Sequence, residues 1–230
     1  MLFDLRGRGR RRTVQAIYLS LAILMGGGLV LFGIGSDQSG GLFDAFSENS
    51  GGGSATETID KQIDAQLAKT RATPKDPAVW AQLATLRVRR AGVDGIRDDG
   101  SYTDAAKRRL ALAANAWERH LALEPKRPNL TTANLMVQAY GPTGLNELDK
   151  AVRAKQIVTD AERPPSSNLY AQLAVLAYQA GDTRTGDLAG SRAVDLAAAS
   201  DRKTLRTQLD LLKKQAASDR AQQTATTPAG

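Results

Sequence analysis

Six of the eight prolines fall into three close clusters, Pro74 with Pro77, Pro125 with Pro128, and Pro164 with Pro165. Proline removes a backbone donor and clashes with the preceding turn, so each cluster must separate helices and not lie within one. Between clusters a glycine recurs, at Gly92, Gly141 and Gly181. Glycine suits the position just past a helix end because it accepts the left-handed conformation found there. From about Thr58 to Leu212 the apolar residues keep helical spacing. The pattern therefore reads helix, glycine turn, helix, proline turn, written three times. A half unit with Ile59, Ile63 and Leu67 on one face precedes it. A final helix, Asp201 to Ala217, carries Leu205, Leu209 and Leu212 at core spacing and is expected to cover the exposed edge of the stack. Only 5% of residues are aromatic, against 42% hydrophobic with 37 alanines, which suits close-packed helices better than a sheet. The expected fold class is all-α.

Upstream of the helices, Val14 to Ile34 is a run of 21 residues without a charge. At about 1.5 Å rise per residue it spans roughly the 30 Å of a hydrocarbon core, and it reads as a transmembrane helix. Arg6, Arg8, Arg10, Arg11 and Arg12 precede it, which places the N-terminus in the cytoplasm and everything after the span outside it. A cleaved signal peptide is the rival reading, with Gly33-Ile34-Gly35 as the small-residue site, but the apolar run exceeds a signal core. Residues 35–56, rich in glycine and serine, read as a flexible linker, interrupted by Leu42, Phe43 and Phe46. The domain plan is thus a basic N-terminus at 1–13, a span at 14–34, a linker at 35–56, a helical domain at 57–217 and a disordered tail at 218–230.

The net charge of +7 divides accordingly into +4 on the N-terminus, −5 on residues 35–60 and +8 on the remainder. A basic domain ordinarily raises nucleic acid as a partner, but this topology places it outside the cytoplasm and argues against that. Arg87, Arg89 and Arg90, with Lys107, Arg108 and Arg109, carry much of the positive charge. They fit anionic lipid, an acidic polymer or an acidic partner, or simply a solvated helix face.

The chain has no cysteine and one histidine, His120. Disulfides, thiolate nucleophiles, sulfur-ligated zinc and two-histidine metal sites are thereby excluded. A lone histidine without a nearby partner reads as packing, not as a catalytic base. Asp94, Asp98 and Asp99 share a glycine-rich loop, but Arg97 and Gly95 stand where calcium ligands would be needed, so a solvated turn capped by Ser101 or Thr103 is expected instead. No catalytic residue, cofactor or metal is expected, and the protein reads as a non-enzyme.

Several segments resemble the tetratricopeptide repeat family. Trp80-Ala81-Gln82-Leu83-Ala84 and Tyr170-Ala171-Gln172-Leu173-Ala174 match the aromatic, leucine and small residue of that repeat's first helix. Gln179-Ala180-Gly181-Asp182 matches its turn, and Ala113, Trp117 and Pro125 keep the spacing of its second helix. The departures are a first interval of 51 residues, from Pro77 to Pro128, against a family period of about 34, polar Thr131, Thr132 and Asn134 in the middle repeat, and Gly190 at an aromatic position.

The resemblance implies an α-α superhelix whose inner groove binds peptides or proteins. Carried over by register, the groove would include Thr85, Arg89, Tyr140, Asn168, Ala171, Val175, Tyr178 and Gln179. The expected function is a single-pass, membrane-anchored, extracytoplasmic scaffold that holds a partner protein or a translocating chain beside the membrane, in a layout similar to bacterial membrane-tethered repeat proteins. The alternative is an auxiliary subunit of a secretion or envelope-assembly complex, contacting it through the transmembrane helix. An enzyme hidden in an unfamiliar loop is a third reading, disfavoured by the lack of a catalytic constellation.

Overall fold

The computed structural model describes residues 52–226, with side chains described for residues 56–222. The expected span at 14–34, the basic N-terminus before it and the linker as far as residue 51 lie outside the described residues. Among the described residues the structure is all-helical, and no helix there is long and apolar enough to cross a membrane. The helices are α1 (Gly52–Ala72), α2 (Pro77–Asp94), α3 (Asp104–Ala122), α4 (Leu130–Tyr140), α5 (Leu148–Ala161), α6 (Ser167–Ala180), α7 (Thr183–Leu196) and α8 (Arg202–Thr226). The one departure from helix and turn is an isolated antiparallel bridge between Ile96 and Tyr102 among these residues.

Local chemistry explains where these helices begin. Asp76 accepts the Ala78 N–H at 2.9 Å, with Pro77 as the first helical residue of α2. Thr103, Asn129, Ser166 and Asp182 accept backbone N–H groups in the first turns of α3, α4, α6 and α7. Each such cap contributes about 1 kcal/mol by satisfying a donor that the helix leaves open. The proline clusters lie against these caps, so breaker and starter act together.

The bounds of the helices differ from those expected in four places. Gly92 does not end α2; the helix continues to Asp94 and turns at Gly95, whose φ of 116° only glycine adopts readily. The last turn survives the glycine because the Asp94 carboxylate pairs with Arg90 one turn earlier and with Arg109 on α3. Gly141 follows α4 with an extended backbone, whereas Gly181 takes the left-handed cap at φ 87°. At the outer bounds, α1 starts at Gly52, inside the expected linker, and α8 runs to Thr226, through much of the expected disordered tail. The segment after Ser218 is rich in alanine and glutamine, which sustain a helix, and meets no breaker before Pro228.

Packing proceeds in pairs. α2 lies on α3, α4 on α5 and α6 on α7; α4 also touches α2 and α3, α5 touches α6, and α8 closes on α6 and α7. Ala81, Ala84 and Ala91 of α2 and Ala106, Ala113 and Ala116 of α3 are fully buried, so small side chains let this pair approach closely. One core gathers Trp117, Tyr140, Leu83, Leu110 and Met136. A second gathers Leu173, Tyr178, Val194 and Leu209, and Leu176 packs against both. Ile59 is buried, and Ile63 and Leu67 carry α1 onto the first core.

The irregular positions have physical counterparts. Of the polar residues in the middle repeat, Thr132 is buried, and its hydroxyl shares a 2.9 Å hydrogen bond with Thr85 of α2. Gly190 and Gly186 of α7 leave room for the Tyr178 ring, which reaches across from α6 in place of an aromatic on α7.

Candidate functional site

The exposed faces of α4 and α6 differ in chemistry from the rest of the domain. α4 and α6 contain no charged residue at all. α4 exposes Leu130, Thr131, Asn134 and Gln138; α6 exposes Asn168 and Gln179, with Ala171, Gln172 and Val175 half-buried between them. α2 exposes Gln82 along its outer side, and Arg89 is half-buried there. The solvent side of a surface helix is ordinarily charged. A face of carboxamides and hydroxyls offers both donors and acceptors, and is easier to desolvate than a charged one. Such depletion of charge marks the cores of protein interfaces.

Of the eight residues expected in a groove, four lie on such a face, Arg89 is a half-buried charge on α2, and three are turned inward. Asn168, Ala171, Val175 and Gln179 share one face of α6 at helical spacing, and the Arg89 side chain makes no hydrogen bond or ion pair among the described residues. Thr85 is buried and bonded to Thr132. Tyr140 is fully buried, donating to Glu118 Oε1 at 3.2 Å, with the Lys150 ammonium 5.5 Å over its ring. Tyr178 is 5% exposed and donates to Asp187 Oδ1 at 3.0 Å. Burial first, and then the neighbouring carboxylate, pushes both phenol pKa values well above the usual range, so both tyrosines stay neutral and serve packing. Register alone placed these three in the groove. The signal that would have found Asn134 and Gln138 is the absence of charge over the whole of α4.

Gln179 also lines a cleft of about 720 Å³, together with Glu147, Lys150 and Arg153 of the α5 start and Asp219 and Arg220 of α8. The cleft has mixed charge. Lys150 bridges Glu147 at 2.8 Å and Glu118 at 3.3 Å, tying α5 to α3.

Two buried ionisable groups are engaged in structure. His120 is buried and stacks on Trp117 with ring centroids 4.9 Å apart. Its Nδ1 lies 2.7 Å from the Pro77 carbonyl, and its Nε2 accepts the Asn129 N–H at 3.3 Å. Those partners assign the neutral tautomer protonated on Nδ1, and one ring thereby joins the starts of α2 and α4. Burial lowers its pKa, although the Pro77 bond works the other way. Lys155 is also buried, between α5 and α6, where its ammonium donates to Gln172 Oε1 at 2.5 Å.

The basic runs divide. Arg90 pairs with Asp60 and Asp94, Arg109 with Asp94, and Arg87 donates to the Leu112 carbonyl at 2.8 Å. Arg89, Lys107 and Arg108 have no such partner among the described residues. In the aspartate loop, Asp94 is taken up by two arginines, Asp99 accepts the Ser101 N–H at 2.8 Å, and Thr103 caps α3.

No protein-family model matches the chain, and neither a curated protein nor a solved structure is detectably similar to it.

Proposed function

We propose that this chain is a membrane-anchored scaffold of tetratricopeptide-like helix pairs that holds an extended polypeptide along the exposed faces of α2, α4 and α6. The observation that carries the reading is the uncharged, carboxamide-bearing surface of α4 and α6 in a chain with 24% charged residues. A peptide backbone presents donors and acceptors in alternation, and Asn134, Gln138, Asn168 and Gln179 can serve both without burying a charge. The pairing of α2 with α3, α4 with α5 and α6 with α7, closed by α8, supports the repeat-like architecture. The engagement of His120 in helix packing supports a non-catalytic role. The uncharged run at residues 14–34 and the arginines before it support a single-pass anchor with the helical domain outside the cytoplasm.

The test is purification of the full-length chain in mild detergent, with bound polypeptides identified by mass spectrometry. It is paired with a Gln138→Glu/Gln179→Glu variant, whose exposed sites leave folding intact. A polypeptide retained by the native chain and lost from the variant is expected. Equal retention by both would remove the first-helix faces from the function.

A further inference from the structure

The turns between α1 and α2 and between α3 and α4 meet at one end of the stack. His120 holds them together through Pro77 and Asn129, and Trp80 donates from its indole Nε1 to the Pro74 carbonyl at 2.9 Å. Six exposed cations project from this end: Lys69, Arg71 and Lys75 from the end of α1 and its turn, Arg119 from the last turn of α3, and Lys126 and Arg127 from the next turn. None forms an ion pair among the described residues, whereas Lys61, Arg90, Arg97, Arg109, Lys150 and Lys213 elsewhere all do. Arg119 lies 6.0 Å over the Trp80 ring. Among the described residues these two turns hold two carboxylates, Asp76 and Glu124, and Asp76 accepts the Ala78 N–H at 2.9 Å.

We propose that this proline-turn end docks on an anionic lipid surface. The cations stand on two turns and on the helix ends that lead into them, and clefts of about 720 and 390 Å³ are lined by other residues. A planar anionic surface needs no recess, and an amphipathic indole beside the cations suits a membrane interface. The expected anchor at residues 14–34 keeps such a surface within reach, so the inference rests on the membrane part of the reading above.

The experiment uses the full-length chain reconstituted in vesicles of neutral phosphatidylcholine, alone or with about 30% phosphatidylglycerol. A nitroxide on the lipid headgroup quenches tryptophan fluorescence on contact. Trp117 is 1% exposed and stays silent, so the signal belongs to Trp80, and a Trp80→Phe variant checks this. Quenching is expected only with the anionic lipid, and it should be lost in about 1 M salt, where screening reaches within about 3 Å. A Lys126→Gln/Arg127→Gln variant should shift the docking equilibrium roughly 25-fold towards the undocked state, at about fivefold per cation.

Flotation with neutral vesicles reads the anchor, while Trp80 quenching reads the docking, so the two fail separately. A chain that floats with both compositions but shows no anionic-lipid-dependent quenching overturns the docking and leaves the anchor standing. A chain that floats only with anionic vesicles, through Lys126 and Arg127, overturns the anchor and supports the docking. Shielding of Trp80 from a soluble quencher by polyglutamate or an oligonucleotide, without lipid quenching, also overturns the proposal.

Discussion

Replacing Lys155 by methionine should make the protein more stable at neutral pH, and the gain should shrink as the pH rises. The Lys155 side chain is 7% exposed, and its ammonium has one hydrogen-bond partner, Gln172 Oε1 at 2.5 Å. Burial pushes its pKa down from 10.5 to about 8. The sign follows from proton counting: between pH 8 and 10.5 the unfolded chain holds a proton that the folded chain has released, so stability rises with pH through that window. At pH 7 both states are charged, and the folded one bears the desolvation, an upper bound of about 3 kcal/mol at 1.36 kcal/mol per unit. By pH 9.5 about 2 kcal/mol of this is recovered. Methionine is unbranched and close in length, so it fills the space, although Gln172 loses a donor worth about 1 kcal/mol. Urea unfolding of wild type and Lys155→Met at pH 7 and 9.5 measures the difference. The variant should be the more stable by about 1–2 kcal/mol at pH 7, and that advantage should vanish at pH 9.5. Staying below pH 10 avoids Tyr140 and Tyr178, whose raised pKa values lower stability only above the unfolded tyrosine value near 10. A variant less stable than wild type by the same amount at both pH values would refute the assignment of a desolvated ammonium.

Other perturbations probe different joints. Protonating His120 opposes the Asn129 N–H, and its folded pKa is lowered from 6.5, so stability should fall as the pH drops below about 6.5. A His120→Gln variant should show a shallower loss between pH 7 and 5 in the same unfolding assay, and an unchanged slope would contradict the tautomer. At Gly186 an added Cβ would stand 2.3 Å from Cε1 of Tyr178, whose hydroxyl is held by Asp187 and cannot swing aside. Gly186→Ala gains about 1 kcal/mol of helix propensity but overpacks by about 1–3 kcal/mol. Calorimetry should show a net loss, largely relieved in Gly186→Ala/Tyr178→Leu; a stabilised single variant would break this account. Asp94→Asn leaves Arg90 buried with Asp60 alone and should lower the midpoint of urea unfolding by the equivalent of about 2–3 kcal/mol, against no change if the cluster is merely superficial.

The helix starts beside the proline clusters were legible because a breaker and a capping side chain stand in adjacent residues, as at Asp76-Pro77 and at Asn129 after Pro128. Helix ends were less so. Gly92 has the residue type of a cap, yet whether a helix passes through a glycine depends on a contact 15 residues away in sequence, between Asp94 and Arg109. The identity of the exposed face was harder still. Thr85, Tyr140 and Tyr178 have plausible register for a groove, but each is turned inward by a partner on another helix: Thr132, Glu118 and Asp187. Conversely, the charge-free composition of α4 and α6 is visible in the bare sequence and becomes informative once Asn134, Gln138, Asn168 and Gln179 are seen to be exposed. The cleft beside Gln179 depends on α8 extending past Ser218, which the tail's polar composition concealed.

The central claim is that a polypeptide lies along the first-helix faces. It is tested most directly by placing a photo-crosslinking amino acid, one position at a time, at the exposed Asn134, Gln138 and Gln179, and at the exposed Arg108 and Arg192 of the second helices. Irradiation of intact cells, followed by detection of adducts, compares the two sets. The account predicts discrete polypeptide adducts from Asn134, Gln138 and Gln179 that are weak or absent from Arg108 and Arg192. Equal adduct yields from both sets, or adducts confined to Arg108 and Arg192, would contradict it.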